Sequence, residues 1–436
     1  MRTRCVLWVS LLCSFGFSKI ASAEKILAKE GDWTVYTDGR VGAFASFDYG
    51  DEVPGNTLDA NGNVLHSVEG GGVGLPGDGV QQPVVGGAPG QLTQGTIEGM
   101  RIRSGFIGNT LGVGVRQQIN ETTMMTGYLQ FWSYVESESR IKTNPNPIDV
   151  RQGYVKVEGR WGSVLVGRTR SLFSRGNTDI DILYGHRYGV GYPGSVDSYG
   201  PANGQIGFGL LGSGFDAGIL YGTPVLGGFQ LTVGAYDPIE LQGSPWTRTK
   251  WARPEAELTF ERPLGSLGKI ILFGNGVYQK LYTVVVDEST TVEGVGYGGR
   301  LELGPLRLGL CAYYGKGLGL YYALEPSLAN VDAVGNLRKE DGYYAQSQLV
   351  FRKWDIAAGW GISRVFLNPA DNVPDPITGQ IPISVIKYQM GISSAFVYHV
   401  TPSLHVDVDV FRAQEAWFLG ERQVVYFANS GMTFTW

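Results

Sequence analysis

Leu404-His405-Val406-Asp407-Val408-Asp409-Val410 alternates without exception between apolar and ionisable side chains. Successive side chains of a strand point to opposite faces, so Leu404, Val406, Val408 and Val410 share one face and His405, Asp407 and Asp409 the other. An aliphatic face backed by three ionisable groups needs an apolar cover on one side and water on the other. The pattern recurs. Ala256, Leu258 and Phe260 oppose Arg253, Glu255, Glu257 and Glu261; Leu301 and Leu303 oppose Arg300 and Glu302; Leu306, Leu308 and Leu310 oppose Arg307. Segments of about ten such residues are the signature of a transmembrane β-barrel with a wet lumen. A soluble β-sandwich also alternates, but with strands nearer five or six residues.

The connectors alternate in length. Arg160-Trp161-Gly162, Pro263 to Gly265, Gly304-Pro305, Lys353-Trp354 and Thr401-Pro402-Ser403 are tight. Long connectors are expected at 50–98, 136–148, 171–203, 238–252, 281–292, 316–340, 365–385 and 413–421. Short turns on one rim and long loops on the other belong to outer-membrane barrels. The fold class is therefore all-β: an antiparallel transmembrane barrel of sixteen strands, eighteen being the alternative count, with the third long loop folded inward. Over 99–120 the residues Arg101, Arg103 and Arg116 fall in different phases. A bulge or extra turn near Gly108-Asn109 is needed to bring them to one face.

Composition agrees. Sixty-five glycines among 436 residues and a charged fraction of 17% favour strands and turns over helices. Arg2 and Arg4 precede the apolar run Cys5 to Phe17, and Ala21-Ser22-Ala23 offers a small-residue exit, so 1–23 reads as a signal peptide cleaved after Ala23. Cys13 lacks the small preceding residue of a lipidation site. Apart from this leader, no run approaches the ~18 apolar residues of a membrane-spanning helix. The formal charge of −5 becomes −8 once the leader is removed, which argues against a nucleic-acid binder. Cys311 is the single cysteine of the remaining 24–436, so no internal disulfide staples the chain.

The last strand carries a sharper mark. Tyr426, Ala428, Ser430, Met432, Phe434 and Trp436 share one face, and the chain stops at the aromatic. Gly431, Phe434 and Trp436 fit the tail pattern that resembles the assembly signal of outer-membrane barrels. Trp33, Tyr36, Trp132, Tyr134, Trp354, Trp360, Trp417 and Trp436 are candidates for the interfacial aromatic girdles.

Three segments carry a family resemblance. Gly31 to Tyr49 (GDWTVYTDGRVGAFASFDY) is similar to the first strand of the Gram-negative trimeric general porins. Arg151 to Arg168 (RQGYVKVEGRWGSVLVGR) resembles the strand, short turn and glycine-arginine strand that precede their third loop, and Ala395 to Ser403 with the aromatic end looks like their closing hairpins. The resemblance implies homotrimers in the outer membrane, inserted by the barrel assembly machinery, that pass small hydrophilic solutes passively and need no cofactor or metal.

Charge geometry supplies the candidate site. Between Arg101 and Arg187 stand twelve lysines and arginines against seven acids, leaving the acidic excess elsewhere. Arg101, Arg103, Arg116, Arg168 and Arg170 are candidates for a basic wall, with Asp179 and Asp181 of the long loop facing them across a constriction. Opposed charges across a narrow watery gap set up a transverse field that selects solutes. His405, Asp407, Asp409, Glu255, Glu257, Arg300 and Arg307 are the lumen-facing candidates.

Enzymatic signals are thin. Gly207-Phe208-Gly209-Leu210-Leu211-Gly212 spells a dinucleotide motif but lacks a strand-helix setting, and reads as strand glycine. His405 with Asp407 and Asp409 invites a barrel hydrolase, the main alternative, yet no nucleophile accompanies them. Asp59 to Asn63 departs from a calcium loop at Val64 and Glu69. A secreted β-sandwich binder is the remaining alternative.

Overall fold

The computed structural model describes residues 24–58, 61, 64–69, 84–85, 95–105, 107–133, 135, 148–183, 204–241, 244–284, 288–324 and 330–436. The leader, Tyr134, most of the calcium-like loop and the second half of the 171–203 connector lie outside the described residues.

One antiparallel sheet of eighteen segments closes on itself. The segments are β1 (Lys25–Glu30), β2 (Trp33–Asp51), β3 (Thr96–Arg103), β4 (Asn109–Asn120), β5 (Thr123–Ser133), β6 (Ile148–Gly159), β7 (Gly162–Arg170), β8 (Phe215–Gly222) and β9 (Phe229–Tyr236). They continue with β10 (Arg253–Pro263), β11 (Gly268–Tyr282), β12 (Ser289–Leu303), β13 (Leu306–Lys316), β14 (Lys339–Phe351), β15 (Trp354–Phe366), β16 (Ile386–His399), β17 (Leu404–Trp417) and β18 (Arg422–Thr435). Two pairs run end to end. On one edge of β2, β18 pairs Thr435 with Arg40 and β1 continues the line, pairing Lys25 with Thr37. On the other edge, β3 pairs Arg103 with Phe44 and β4 resumes with Thr110 opposite Arg40. The barrel therefore has sixteen staves, and a secreted β-sandwich is excluded.

The break between β3 and β4 corrects the phase problem seen in the sequence. From Phe44 back to Arg40 is four steps on β2, whereas from Arg103 to Thr110 is seven on its partner. An odd excess of three residues flips the alternation, so Arg101, Arg103 and Arg116 all turn inward although their numbers differ in parity.

Alternation becomes orientation throughout. Val408 and Val410 are about half exposed on the outside, while His405, Asp407 and Asp409 are buried on the inside. Trp33, Trp354 and Trp360 stand exposed on the outer face, as expected of girdles. Tyr36, Trp132 and Trp417 are buried instead, and leave the girdle set. Several boundaries also move. β11 and β12 pair out to Tyr282 and Ser289, shortening their connector to 283–288, and β17 runs on to Trp417. The long connector after β7 extends to 214, because β8 starts only at Phe215. At the long-loop rim Thr57–Leu58, Val64–Val68, Val84–Val85 and Ile383–Ser384 form a small second sheet.

Candidate functional site

The described parts of the 171–214 connector lie inside the barrel. Leu172 and Phe173 leave β7 fully buried: Leu172 packs with Leu220 and Tyr236, Phe173 with Val277, Leu281 and Tyr313. One short helix, α1 (Arg175–Ile180), follows. Hydrogen bonds then tie the loop to the inner wall strand by strand. The Phe173 amide donates to Glu255 at 2.7 Å, and the Gly176 amide and the Arg175 Nε donate to Glu257 at 3.0 and 2.9 Å. Asn177 donates to the Cys311 Sγ at 2.9 Å and accepts from Asn275 at 3.1 Å, while the Tyr344 hydroxyl donates to its carbonyl at 2.8 Å. The Ile182 amide donates to Gln346 at 2.7 Å.

The returning limb docks farther round. Gln205 donates to Ser393 at 2.7 Å, the Gly209 amide to Ser363 at 2.9 Å, and the Phe208 ring meets Phe411 edge-on. The Gly207–Gly212 motif is thus part of this inserted limb and not a strand, a correction forced by the turns at Gly207 and Gly209, whose φ values are +83° and +113°. The loop covers the inner faces of β10 to β17, and the wall there is cut away to receive it. A side chain at Gly296 would strike Asn177, one at Gly359 would strike Leu183, and one at Gly361 would strike the Phe208 carbonyl. Inward glycine on a strand marks such a close backbone approach.

Each predicted residue has a definite place. Arg101 and Arg103 face inward on β3, with Ser46 and Phe44 as register partners. Arg40 of β2, missed in the sequence, lies inward on the neighbouring stave with only 3% of its surface exposed. Arg170 reaches the loop and pairs directly with Asp179 at 2.6 Å. Asp181 does not face a basic wall. Its carboxylate accepts from the Leu183 and Gln205 amides at 2.9 and 2.8 Å and from Gln346 at 2.5 Å, which anchors the loop. Arg168 is also corrected: it shares the outward phase of Val164 and Val166, opposite Gly153 and Ala217. Arg116 faces the lumen but near the short-turn rim, bound to Glu24 at 2.5 Å and lying 4.0 Å over the Tyr36 ring.

Glu255 and Glu257 face inward as expected, but beneath the loop: Glu257 binds Arg175, and Arg253 bridges Glu255 at 2.8 Å and Asp216 at 2.6 Å. Arg300 donates to the Asp179 carbonyl at 3.2 Å from the wall facing α1, and Arg307 to Gln348 at 3.2 Å. His405 meets a residue the sequence gave no reason to single out. Its Nδ1 lies 2.7 Å from His399 Nδ1, and His399 Nε2 lies 2.9 Å from Asp355. Asp409 accepts from Asn429 at 2.8 Å. Gly431 lies inward against Phe44, Phe434 is exposed outward, and the Trp436 ring lies over Gly39.

A closed sixteen-stave barrel, unequal rims and an inward third loop decide the comparison. The fold is that of an outer-membrane porin. The chain is similar to the outer-membrane channel DcaP of Acinetobacter baumannii at 13% identity, a TM-score of 0.63 and coverage of 94% of this chain and 100% of that one. It is similar to the anion-selective porin of Comamonas acidovorans at 12% identity and 0.55, over 93% and 100% of the two chains. It also resembles Salmonella typhi OmpF, determined in complex with daunomycin, at 11% identity and 0.51, over 93% and 98%. No protein-family model and no curated protein matches the sequence.

Proposed function

We propose that this porin-fold barrel is a passive outer-membrane channel for small hydrophilic solutes and ions, with residues 1–23 as its export leader and selectivity residing at the level of the inserted loop. The observation that carries this is the loop itself: residues 171–183 and 204–214 occupy the interior and are hydrogen-bonded around β10 to β16, so only the remaining cross-section can conduct. A lumen narrowed in this way selects by size and by the charges at its edge. Those charges are Arg40, Arg101 and Arg103 on β2 and β3, with Asp407 and Asp409 on β17, which β18 separates from β2. Purified barrel in a planar bilayer should give discrete steps of ohmic conductance; a protein that inserts without conducting would overturn the reading.

The outer face supports a homotrimer. Tyr278, Tyr297, Tyr314, Tyr343 and Trp360, all exposed, stand on β11 to β15 where lipid would meet them. On β2 to β7 the outward Arg168 stands among small outer-face residues such as Ala43, Ala45 and Gly127 and large ones such as Phe47, Tyr49 and Leu129. An arginine on a lipid face costs about 2–4 kcal/mol near mid-membrane, a penalty that a neighbouring subunit removes. Cross-linking and heat-modifiable gel mobility test the oligomer.

A further inference from the structure

Three inward side chains on three adjacent strands meet at the short-turn end of the lumen. The 400–403 turn joins β16 to β17, and the last pair of their register sets His399 directly opposite His405. Asp355 is the first inward residue of β15, one strand farther round. His399 Nε2 lies 2.9 Å from the Asp355 carboxylate, and the two histidine Nδ1 atoms lie 2.7 Å apart with their ring planes at 90°. The inserted loop bonds to β16 at Ser393, which is ~20 Å of strand nearer the long-loop rim.

The proton positions follow from the partners. An ionised carboxylate only accepts, so the His399 proton sits on Nε2 and its Nδ1 presents a lone pair, to which His405 Nδ1 donates. A carboxylate on the far nitrogen is how metal-binding histidines are held in tautomer and orientation. Spacing then selects the ion. Metal–imidazole bonds are ~2.0 Å long, so nitrogens 2.7 Å apart subtend about 85° at an ion equidistant from both. Tetrahedral zinc would need them ~3.3 Å apart, whereas a square-planar or tetragonal ion takes neighbouring ligands at ~90°. Among the described residues no three His, Cys, Asp or Glu side chains form a ready-made metal cluster. The protein therefore supplies two ligands and water the others, with Asp355 in the outer shell.

We propose that His399 and His405 form a two-imidazole site for a tetragonal divalent cation of the copper(II) class at the short-turn mouth of the lumen. The ion takes the place of the shared proton, which passes to Nε2 of His405, and both rings stay neutral. A modest swing of the rings turns their lone pairs from each other to the common point. Copper(II) also binds nitrogen ligands most strongly among the first-row divalent ions. Asp355 and, one inward step up β17, Asp407 offset its charge. The site is reachable, because 20% of the His399 side chain is exposed against 1% of Asp355.

The test loads full-length barrel in detergent with copper(II) chloride and reads the bound ion by electron paramagnetic resonance. Wild type should hold one ion per chain, with a tetragonal signal split by two nitrogens that an excess of magnesium leaves unchanged. His399→Gln and His405→Gln should each lose the two-nitrogen splitting. Asp355→Asn keeps both ligands and should retain the splitting while binding about tenfold more weakly; unchanged affinity there would remove Asp355 from the site. Replacing the other histidines of the chain, His66→Gln with His186→Gln, should alter neither signal nor affinity. Folding of each variant is read by heat-modifiable mobility. Splitting that survives in a folded His399→Gln or His405→Gln barrel would overturn the proposal, and so would displacement of copper by equimolar zinc. The resonance signal does not depend on conduction, so a barrel that binds copper without conducting removes only the channel reading.

Discussion

The Arg170 guanidinium and the Asp179 carboxylate meet at 2.6 Å where β7 turns into the inserted loop, with 15% and 19% of their side-chain surfaces exposed. Two charges that the sequence places on opposite sides of a gap therefore neutralise each other within one neck. Single substitutions should each unmask the partner. Arg170→Gln is expected to shift the reversal potential in a salt gradient toward cations and Asp179→Asn toward anions, while the double variant stays near wild type. A double variant that shifts as far as either single one would show that the two charges act separately.

Arg101 and Arg103 face inward on β3, outside the stretch β10 to β16 to which the loop is hydrogen-bonded, whereas Arg168 points outward. Neutralising Arg101 and Arg103 together should move selectivity toward cations at 0.1 M salt, and the shift should shrink at 1 M as the Debye length falls from ~10 to ~3 Å. Arg168→Gln should leave the reversal potential in place and reduce trimer yield. Selectivity that follows Arg168 instead would place the conducting path elsewhere.

Gly361 bears on pore size. Its inward face lies against the Phe208 carbonyl, so Gly361→Val must push the returning limb off the wall. The limb is also held at Gly209 and Gln205 by one hydrogen bond each, net contributions of ~0.5–1.5 kcal/mol. Displacement is the cheaper response, and conductance should change measurably in a barrel that still folds. Unchanged conductance in a folded Gly361→Val barrel would mean that this limb does not narrow the path.

Barrel class and strand count were legible because alternation of period two repeats in every stave, and the offset at 104–108 left its trace in the mismatched phases of Arg101 and Arg116. Arg168 was legible too: it stands two and four residues beyond Val166 and Val164 and so shares their face, a parity overshadowed by its likeness to Arg170. The role of Asp181 was not legible, because its partner Gln346 lies 165 residues away and meets it only once the loop has entered the barrel. The abundance of glycine reads as turn chemistry in one dimension. In the fold, Gly296, Gly359 and Gly361 are the space into which the loop docks. His399 gives no signal by itself, since only strand pairing across the 400–403 turn brings it to His405.

His66 and Glu421 should make the long-loop cap pH-dependent. His66 is fully buried, with Nδ1 2.8 Å from the Ile381 carbonyl and Nε2 2.7 Å from Glu421. Both partners accept, so the pair holds one proton more than a neutral imidazole beside an ionised carboxylate. Burial pulls the His66 pKa down, but the bonds to Glu421 and Ile381 outweigh it and hold it above its ordinary value. Burial likewise pushes Glu421 up, while bonds from His66 and Ser384 hold it below the usual carboxylate range. The histidine contribution is thus complete below pH ~6.5 and is lost as pH rises through the raised pKa; the glutamate contribution is complete above ~4.3 and is lost as pH falls through the lowered one. Amide exchange over Val64–Val68, corrected for its intrinsic pH dependence, should quicken from pH 6 to 9 in wild type and stay flat in His66→Gln. The Arg338 bridges to Glu69 and Asp371 do not depend on the imidazole and should keep the segment from detaching entirely. Protection that is constant over this range in wild type would show that the proton is not part of the latch.

Trp436 closes the ring. Its backbone exchanges two hydrogen bonds with Gly39, at 3.0 and 3.1 Å, and its indole lies over the glycine, where any side chain would collide with the ring. Here β18 hands over to β1 along the edge of β2, so the contact seals the junction between the first and last parts of the chain. Phe434 stacks against the same indole at 5.9 Å between ring centroids, giving an aromatic end to the outward row of β18. Deleting Trp436 removes the seal and the terminal mark together, whereas Gly39→Val keeps the terminal aromatic and displaces its ring. Both variants should cross the inner membrane normally. Deletion should sharply lower the folded, heat-modifiable barrel in the outer membrane, and Gly39→Val should give barrels that assemble but lose the folded gel form at lower temperature. Equal assembly defects in the two variants would mean that the seal matters and the terminal residue carries no separate signal; normal assembly after deletion would exclude both roles.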